Sequence, residues 1–217
     1  MKKIDLDRWK RKIPYENFIG YTNPIFSLCT RLDVTNLYNA SKARKTSFFT
    51  DFLYVVMKSL NSLEEFRLRI LKGEVVLYDV INPSYIVMSD SGVILTCRSE
   101  MRDNYAEFYA NVRNDIENTK KSGNSANAFN VTRDNNYFFI SCMPWTDLMS
   151  VNNPYDLKDA ENSSIPRLTW GKAVNENGRM KMMMDISAHH ALIDGEPVCR
   201  AFNIIQNSLN DIEKVLK

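Results

Sequence analysis

The stretch SFFTDFLYVVMKSLNSL, residues 47–63, does most to limit what this chain can fold into. Phe49, Phe52, Leu53, Val56, Met57 and Leu60 recur at helical spacing, which predicts a helix with one strongly buried face. The segments after it carry a different period. EFRLRILKGEVVLYDVINP (65–83) predicts a hairpin turning at Lys72-Gly73, with Pro83 ending its second arm, and SYIVMSDSGVILTCRS (84–99) predicts another around Asp90-Ser91-Gly92. RDNYAEFYANVRNDIENTKKS (102–122) returns to helical spacing, with Tyr105, Phe108, Tyr109, Val112 and Ile116 on one face. Upstream, IFSLCTRLDV (25–34) alternates in part as a strand would, VTNLYNASKARK predicts a short helix, and DLDRWKRKIPYENF is helix-like but broken by Pro14. Downstream, SGNSANAFNVTRDNN (122–136) is polar and predicts a loop. YFFISCMPW, RLTWGKAV and RMKMMMDISA are strand candidates, the last two joined by Asn175-Glu176-Asn177-Gly178. The end, EPVCRAFNIIQNSLNDIEKVLK, predicts a helix with Glu196 and Pro197 at its start, where both are favourable. No linker separates these pieces, so the expectation is one α+β domain over residues 1–217.

Bulk properties exclude several classes. A net charge of +2 with scattered Lys and Arg gives no basic patch for nucleic acid. No apolar run approaches the ~18–20 residues of a membrane span, and MKKIDLDRWKRK has no apolar core of a secretory signal behind it. Cys29, Cys97, Cys142 and Cys199 are far apart without a C-x-x-C pair, so reduced thiols and a cytoplasmic setting are expected. None of the seven glycines belongs to a phosphate-cradling string or a G-x-S-x-G elbow.

Residues 187–197 read SAHHALIDGEP, and His189 and His190 are the only two histidines. If the strand RMKMMMDISA runs into them, alternation sends the two rings to opposite faces. They then cannot chelate one metal. A metal site needs about three protein ligands, there is no third histidine, and Asp194 completes only a poor cage, so no metal is expected. Two readings stand: a pair of structural histidines, or one ring acting as a general base beside one packed or solvated ring. The second draws on imidazole's ability to take and return a proton near neutral pH. Asp194 has no nucleophile motif to serve; anchoring the turn through backbone donors or an arginine suits it better.

HHALIDG matches the H-H-x-x-x-D-G signature of acyl-CoA-dependent acyltransferases. WKRKIPYENF, FSLCTRLDVTNL, EFRLRILKGEVVLYDVINPSYIV, FISCMPW and LTWGK follow in the order found in chloramphenicol acetyltransferases, over nearly the whole length. The chain therefore resembles that family. The resemblance implies a two-layer sandwich of a mixed sheet with flanking helices. It implies acetyl-CoA as cosubstrate, no metal, and direct acetyl transfer to a hydroxyl of a small-molecule acceptor in a ternary complex, with chloramphenicol the best single acceptor. His190 would be the general base and His189 structural. Ser141 would bind the oxyanion, and Thr169 would hold a water near it. Asp194 and Arg11 would form a buried pair fixing the site, and Lys172 would contact the coenzyme. A homotrimer with active sites between subunits is implied as well. Asn17-Phe18, Ala173 and Gly195-Glu196-Pro197 depart from the family's pattern around the acceptor and the coenzyme. Transfer to another small alcohol or thiol therefore remains an alternative, as does a non-catalytic trimeric binding protein.

Overall fold

The structure is a computed structural model of the chain and describes residues 1–123 and 135–217. After a two-residue strand β1 (Lys2–Lys3) come α1 (Lys12–Phe18), β2 (Ile25–Asp33), α2 (Thr35–Arg44) and α3 (Phe48–Asn61). Two hairpins follow, β3 (Leu68–Leu71) with β4 (Glu74–Leu77), and β5 (Asn82–Met88) with β6 (Ile94–Arg98). The remaining elements are α4 (Tyr105–Ser122), β7 (Tyr137–Cys142), α5 (Ala160–Ser163), β8 (Arg167–Trp170), β9 (Val174–Glu176), β10 (Arg179–His189), α6 (Gly195–Asn210) and α7 (Ile212–Val215). The main sheet runs β2-β10-β8-β7-β5-β6, with β9 also on β10, and β1-β4-β3 form a smaller one. Pairing is parallel at β5–β7 and β7–β8 and antiparallel elsewhere, so the sheet is mixed and the architecture α+β, as expected. No helix among the described residues is long and apolar enough to cross a membrane.

Two expectations about proline are corrected. Pro14 does not break α1: it is the third residue of that helix, in the first turn, where no intrahelical donor is missed. Pro83 does not end the β3–β4 hairpin, whose second arm stops at Leu77; it is the second residue of β5. Both hairpin turns of consecutive left-handed residues occur where the sequence puts glycine, at Lys72-Gly73 and Asn177-Gly178. The loop expected at 122–136 begins as the last residue of α4, and residues 124–134 lie outside the described part.

The two faces of the main sheet differ in chemistry, and alternation along each strand explains why. Tyr85, Ile140, Leu168, Trp170, Met184 and Ile186 point to one side and are buried there. Against them α3 lays its apolar face, with Phe52 edge-on to Trp170 at 5.0 Å and Phe49 5.5 Å from Tyr85. Each such fully covered side chain contributes about 1.5–3 kcal/mol. Helix α6 buries Val198, Ala201, Phe202, Ile205 and Leu209 in the same core. The opposite face is polar. Its register carries one row through Ser27, Ser187, Arg167, Phe139, Ser84 and Arg98, and the next through Cys29, Asp185, Thr169 and Ser141.

Much of that polar face is nonetheless buried, because the segment around Asn153–Tyr155 is fastened over it. The Asn153 amide nitrogen donates to Ser187 Oγ at 3.2 Å and reaches Asp185 Oδ1 at 3.5 Å, while its oxygen accepts from Thr169 Oγ1 at 3.1 Å. Tyr155 donates to the Ser187 carbonyl at 3.2 Å, and Arg167 donates to the Pro154 carbonyl.

Candidate active site

His189 closes β10 and His190 is the first residue of the turn beyond it, and their rings diverge. The His189 ring is buried, accepts from the Ala191 amide at Nδ1 (3.2 Å), and has its pKa pushed down to about 4, first by burial and then by the neighbouring His190. It is neutral and packed at pH 7. His190 leaves 33% of its side chain exposed. Its amide donates to the Pro24 carbonyl at 2.8 Å, and its ring stacks on Phe18 of α1 at 3.9 Å and tilts against Phe26 of β2 at 4.7 Å. Helix α1 therefore serves as one wall holding the imidazole, a role that no sequence pattern reveals. Phe18 is one of the positions where the chain departs from the resemblance, so the structure gives that departure a physical place.

Arg11 fixes the turn from outside. Its guanidinium is paired with both Asp194 oxygens, and Nη2 also donates to the His190 carbonyl at 3.1 Å. The expected ion pair is present, but it is not fully buried: the Asp194 side chain is 39% exposed and that of Arg11 14%. Asp194 Oδ1 lies 3.3 Å from His190 Nδ1 without hydrogen-bond geometry, so Nδ1 is buried and unpartnered. Nε2 also has no protein partner among the described residues, and it is the ring nitrogen left open to solvent. Asp194 stands at the N-cap of α6 without a capping bond from its side chain, which is committed to Arg11 instead.

Ser141 occupies a different place. It lies on β7 where two clefts meet, sharing with Ile86 the lining of both. One cleft, of about 660 Å³, is walled by apolar and aromatic groups including Phe49, Trp145 and Trp170, with Lys120 and Lys172 at its edges. The other, of about 590 Å³, is lined by polar groups of the sheet and by the fastened segment, including Ser84, Asn153, Tyr155, Asn162 and Arg167. The Ser141 hydroxyl makes no hydrogen bond among the described residues, so its donor is free. Beside it in the register, Thr169 is fully buried and its hydroxyl proton goes to Asn153. Lys172 is exposed, and its amide donates to the Thr146 carbonyl at 2.9 Å.

One chain does not bring His190 and Ser141 together. Ser141 stands level with Asp185, two strands across, and His190 lies five residues farther along the chain, one past the end of β10. At about 4.8 Å per strand and about 3.3 Å per residue, their Cα atoms are about 20 Å apart. The histidine corner and the serine junction are separate places on one chain.

Residues 1–206 match the family described as Chloramphenicol acetyltransferase. A chloramphenicol acetyltransferase of Campylobacter coli is 30% identical over 96% of this chain and 98% of its own length, and one of Proteus mirabilis is 28% identical over 94% and 92%. A solved structure of a chloramphenicol acetyltransferase superposes with a TM-score of 0.90 at 28% identity, covering 96% of this chain and all of that one. An Azotobacter vinelandii dihydrolipoamide acetyltransferase, 17% identical, superposes at 0.68 over 95% of this chain, a likeness of fold.

Proposed function

The chain belongs to the chloramphenicol acetyltransferase family and is an acyltransferase; on that premise we propose that it moves an acetyl group from acetyl-CoA to a hydroxyl of a small acceptor, with chloramphenicol as first candidate. The observation that carries this reading is the free Ser141 hydroxyl at the meeting of two clefts of opposite character. A thioester entering by the apolar cleft, with Lys172 and Lys120 near its charged end, and a hydroxyl entering by the polar one would meet at that oxygen.

The histidine corner and the serine junction are two half-sites that meet in a homotrimer, where His190 of one copy faces the Ser141 junction of the next. His190 Nε2 takes the proton from the acceptor hydroxyl as its oxygen attacks the thioester carbonyl carbon. The carbonyl electrons move to oxygen, and the Ser141 hydroxyl donates to that oxyanion. The C–O bond to the acceptor is kept, the C–S bond breaks, and the imidazolium returns its proton to the departing thiolate. Arg11 and Asp194 hold the His190 turn; Thr169, through Asn153, holds the floor beside Ser141. None of the six side chains that do this work needs a metal.

Thiol release from acetyl-CoA, measured with and without chloramphenicol, tests the reading. Acceptor-dependent release should fall by about a hundredfold or more in His190→Ala. Release that ignores the acceptor, or that survives this substitution, would contradict it.

A further inference from the structure

The polar cleft beside Ser141 contains an arginine that its surroundings leave uncompensated. Arg167 begins β8 on the polar face, because alternation from buried Leu168 and fully buried Thr169 puts it there. Its guanidinium lies over the Tyr155 ring at 3.9 Å and near the Phe139 ring at 5.5 Å. Nη1 donates to the Pro154 carbonyl and Nη2 to Asn162 Oδ1 at 2.8 Å, while Nε has no hydrogen-bond partner. Among the described residues it forms no ion pair. Asp185, the carboxylate on the adjoining row, accepts from Ser187 Oγ at 2.8 Å instead. Asp156 also lines the cleft, but it is exposed and its Oδ1 accepts from the Lys158 amide.

A half-buried guanidinium faced by rings and neutral oxygens, with its Nε out of reach of water, is a costly thing to keep. Burial pushes its pKa down, and no carboxylate offsets that. A second buried group in the same cleft is also unpartnered: Ser84 is 2% exposed and its Oγ has no hydrogen bond. Ser84 and Arg167 flank Phe139 in one register row, about 9.6 Å apart at two strand spacings. A flat ring lying over Phe139 would span that gap, with one polar end at Ser84 and an anionic end at Arg167.

We infer that this chain prefers an acceptor that carries a carboxylate as well as the hydroxyl that is acylated over a neutral one such as chloramphenicol, and that Arg167 selects for the carboxylate. This rests on reading the cleft at Ser141 as the acceptor's. A planar carboxylate suits the fork of donors that a guanidinium presents, where a lysine would present a point charge. Arg167 is thus a specificity residue, remote from the atoms that react.

The test uses para-hydroxymethylbenzoate and its methyl ester, which differ in the charge at one end, with acetyl-CoA as donor. Wild-type kcat/KM for the acid should exceed that for the ester by about tenfold or more, carried mainly by KM. Arg167→Met should remove the preference and Arg167→Lys should keep part of it. Equal kcat/KM for acid and ester in the wild type would overturn the inference, whatever the variants do. So would an Arg167→Met enzyme that loses both activities equally while binding the acid as tightly as the wild type does by calorimetry. If thiol release occurs with chloramphenicol but shows no preference for the acid, this inference alone falls; if no acceptor stimulates release, the transferase reading falls with it.

Discussion

At the scale of single residues, the histidine pair was legible because a period of two is all that separating the rings requires. Alternation sends the two rings to opposite faces, and in the structure His189 is buried while the His190 side chain is a third exposed. The pairing of Arg11 with Asp194 came only through resemblance, since 183 residues of sequence separate them. Asn153, Arg167 and Asp185 were missed as site residues. Alternation within RLTWGK held a signal for Arg167, on the same face as Thr169, but nothing in the NNPY stretch marks Asn153. Two predictions belong here. Ser141→Ala should lower kcat by about 10²–10³-fold with little change in KM, as steady-state kinetics would register, because its hydroxyl acts on charge that develops only in the transition state. The second concerns Asp185, whose pKa burial raises to about 6 from 3.8. Its ionisation is easier in the unfolded chain, so stability is lost as pH rises from about 4 to about 6. His189, lowered to about 4 from 6.5, works in the other sense: stability is lost as pH falls across much the same window. Asp185→Asn removes the first effect and leaves the second. Urea unfolding at pH 4 and pH 7 should find the variant gaining about 2–3 kcal/mol on the wild type between the two. A stability difference independent of pH would contradict this.

At the scale of elements, the sequence was most informative where periodicity was strong. α3, α4 and α6 have long apolar faces: the structure places α3 within two residues of expectation and starts α4 three residues later, while the final helix, expected to run on to residue 217, is split at Asp211 into α6 and α7. The errors came at prolines, whose meaning depends on position: Pro14 reads as a breaker in mid-helix and is harmless in a first turn. Nothing in the pattern announces how the helices are tied to one another. Asp51 in α3 is fully buried and accepts from Ser41 at 2.6 Å, Thr46 at 2.5 Å and Tyr105 at 2.7 Å, joining α2, the turn after it and α4. Three hydroxyl donors lose their acceptor together in Asp51→Ala. Chemical denaturation should report a loss of about 3 kcal/mol or more, and Asp51→Asn, which keeps one acceptor oxygen, should lose less. Equal losses in the two variants would mean that packing, and not the shared carboxylate, ties the helices.

At the scale of the whole molecule, order of motifs and chain length pointed to the family, and the comparisons place the chain in it. What no linear reading conveys is the spacing of the half-sites. Resemblance joins His190 and Ser141 in one site, whereas one copy of the fold holds them about 20 Å apart, on different strands and at different heights of the sheet. The account therefore stands on a second copy supplying the missing half. Co-expressing His190→Ala with Ser141→Ala and assaying the mixed oligomers tests this most directly. Each variant alone should be nearly inactive. With equal mixing, half the histidine corners and half the serine junctions are intact, so about a quarter of the wild-type thiol release should return if the pair is made between copies. Activity no greater than the sum of the two variants assayed separately would contradict it.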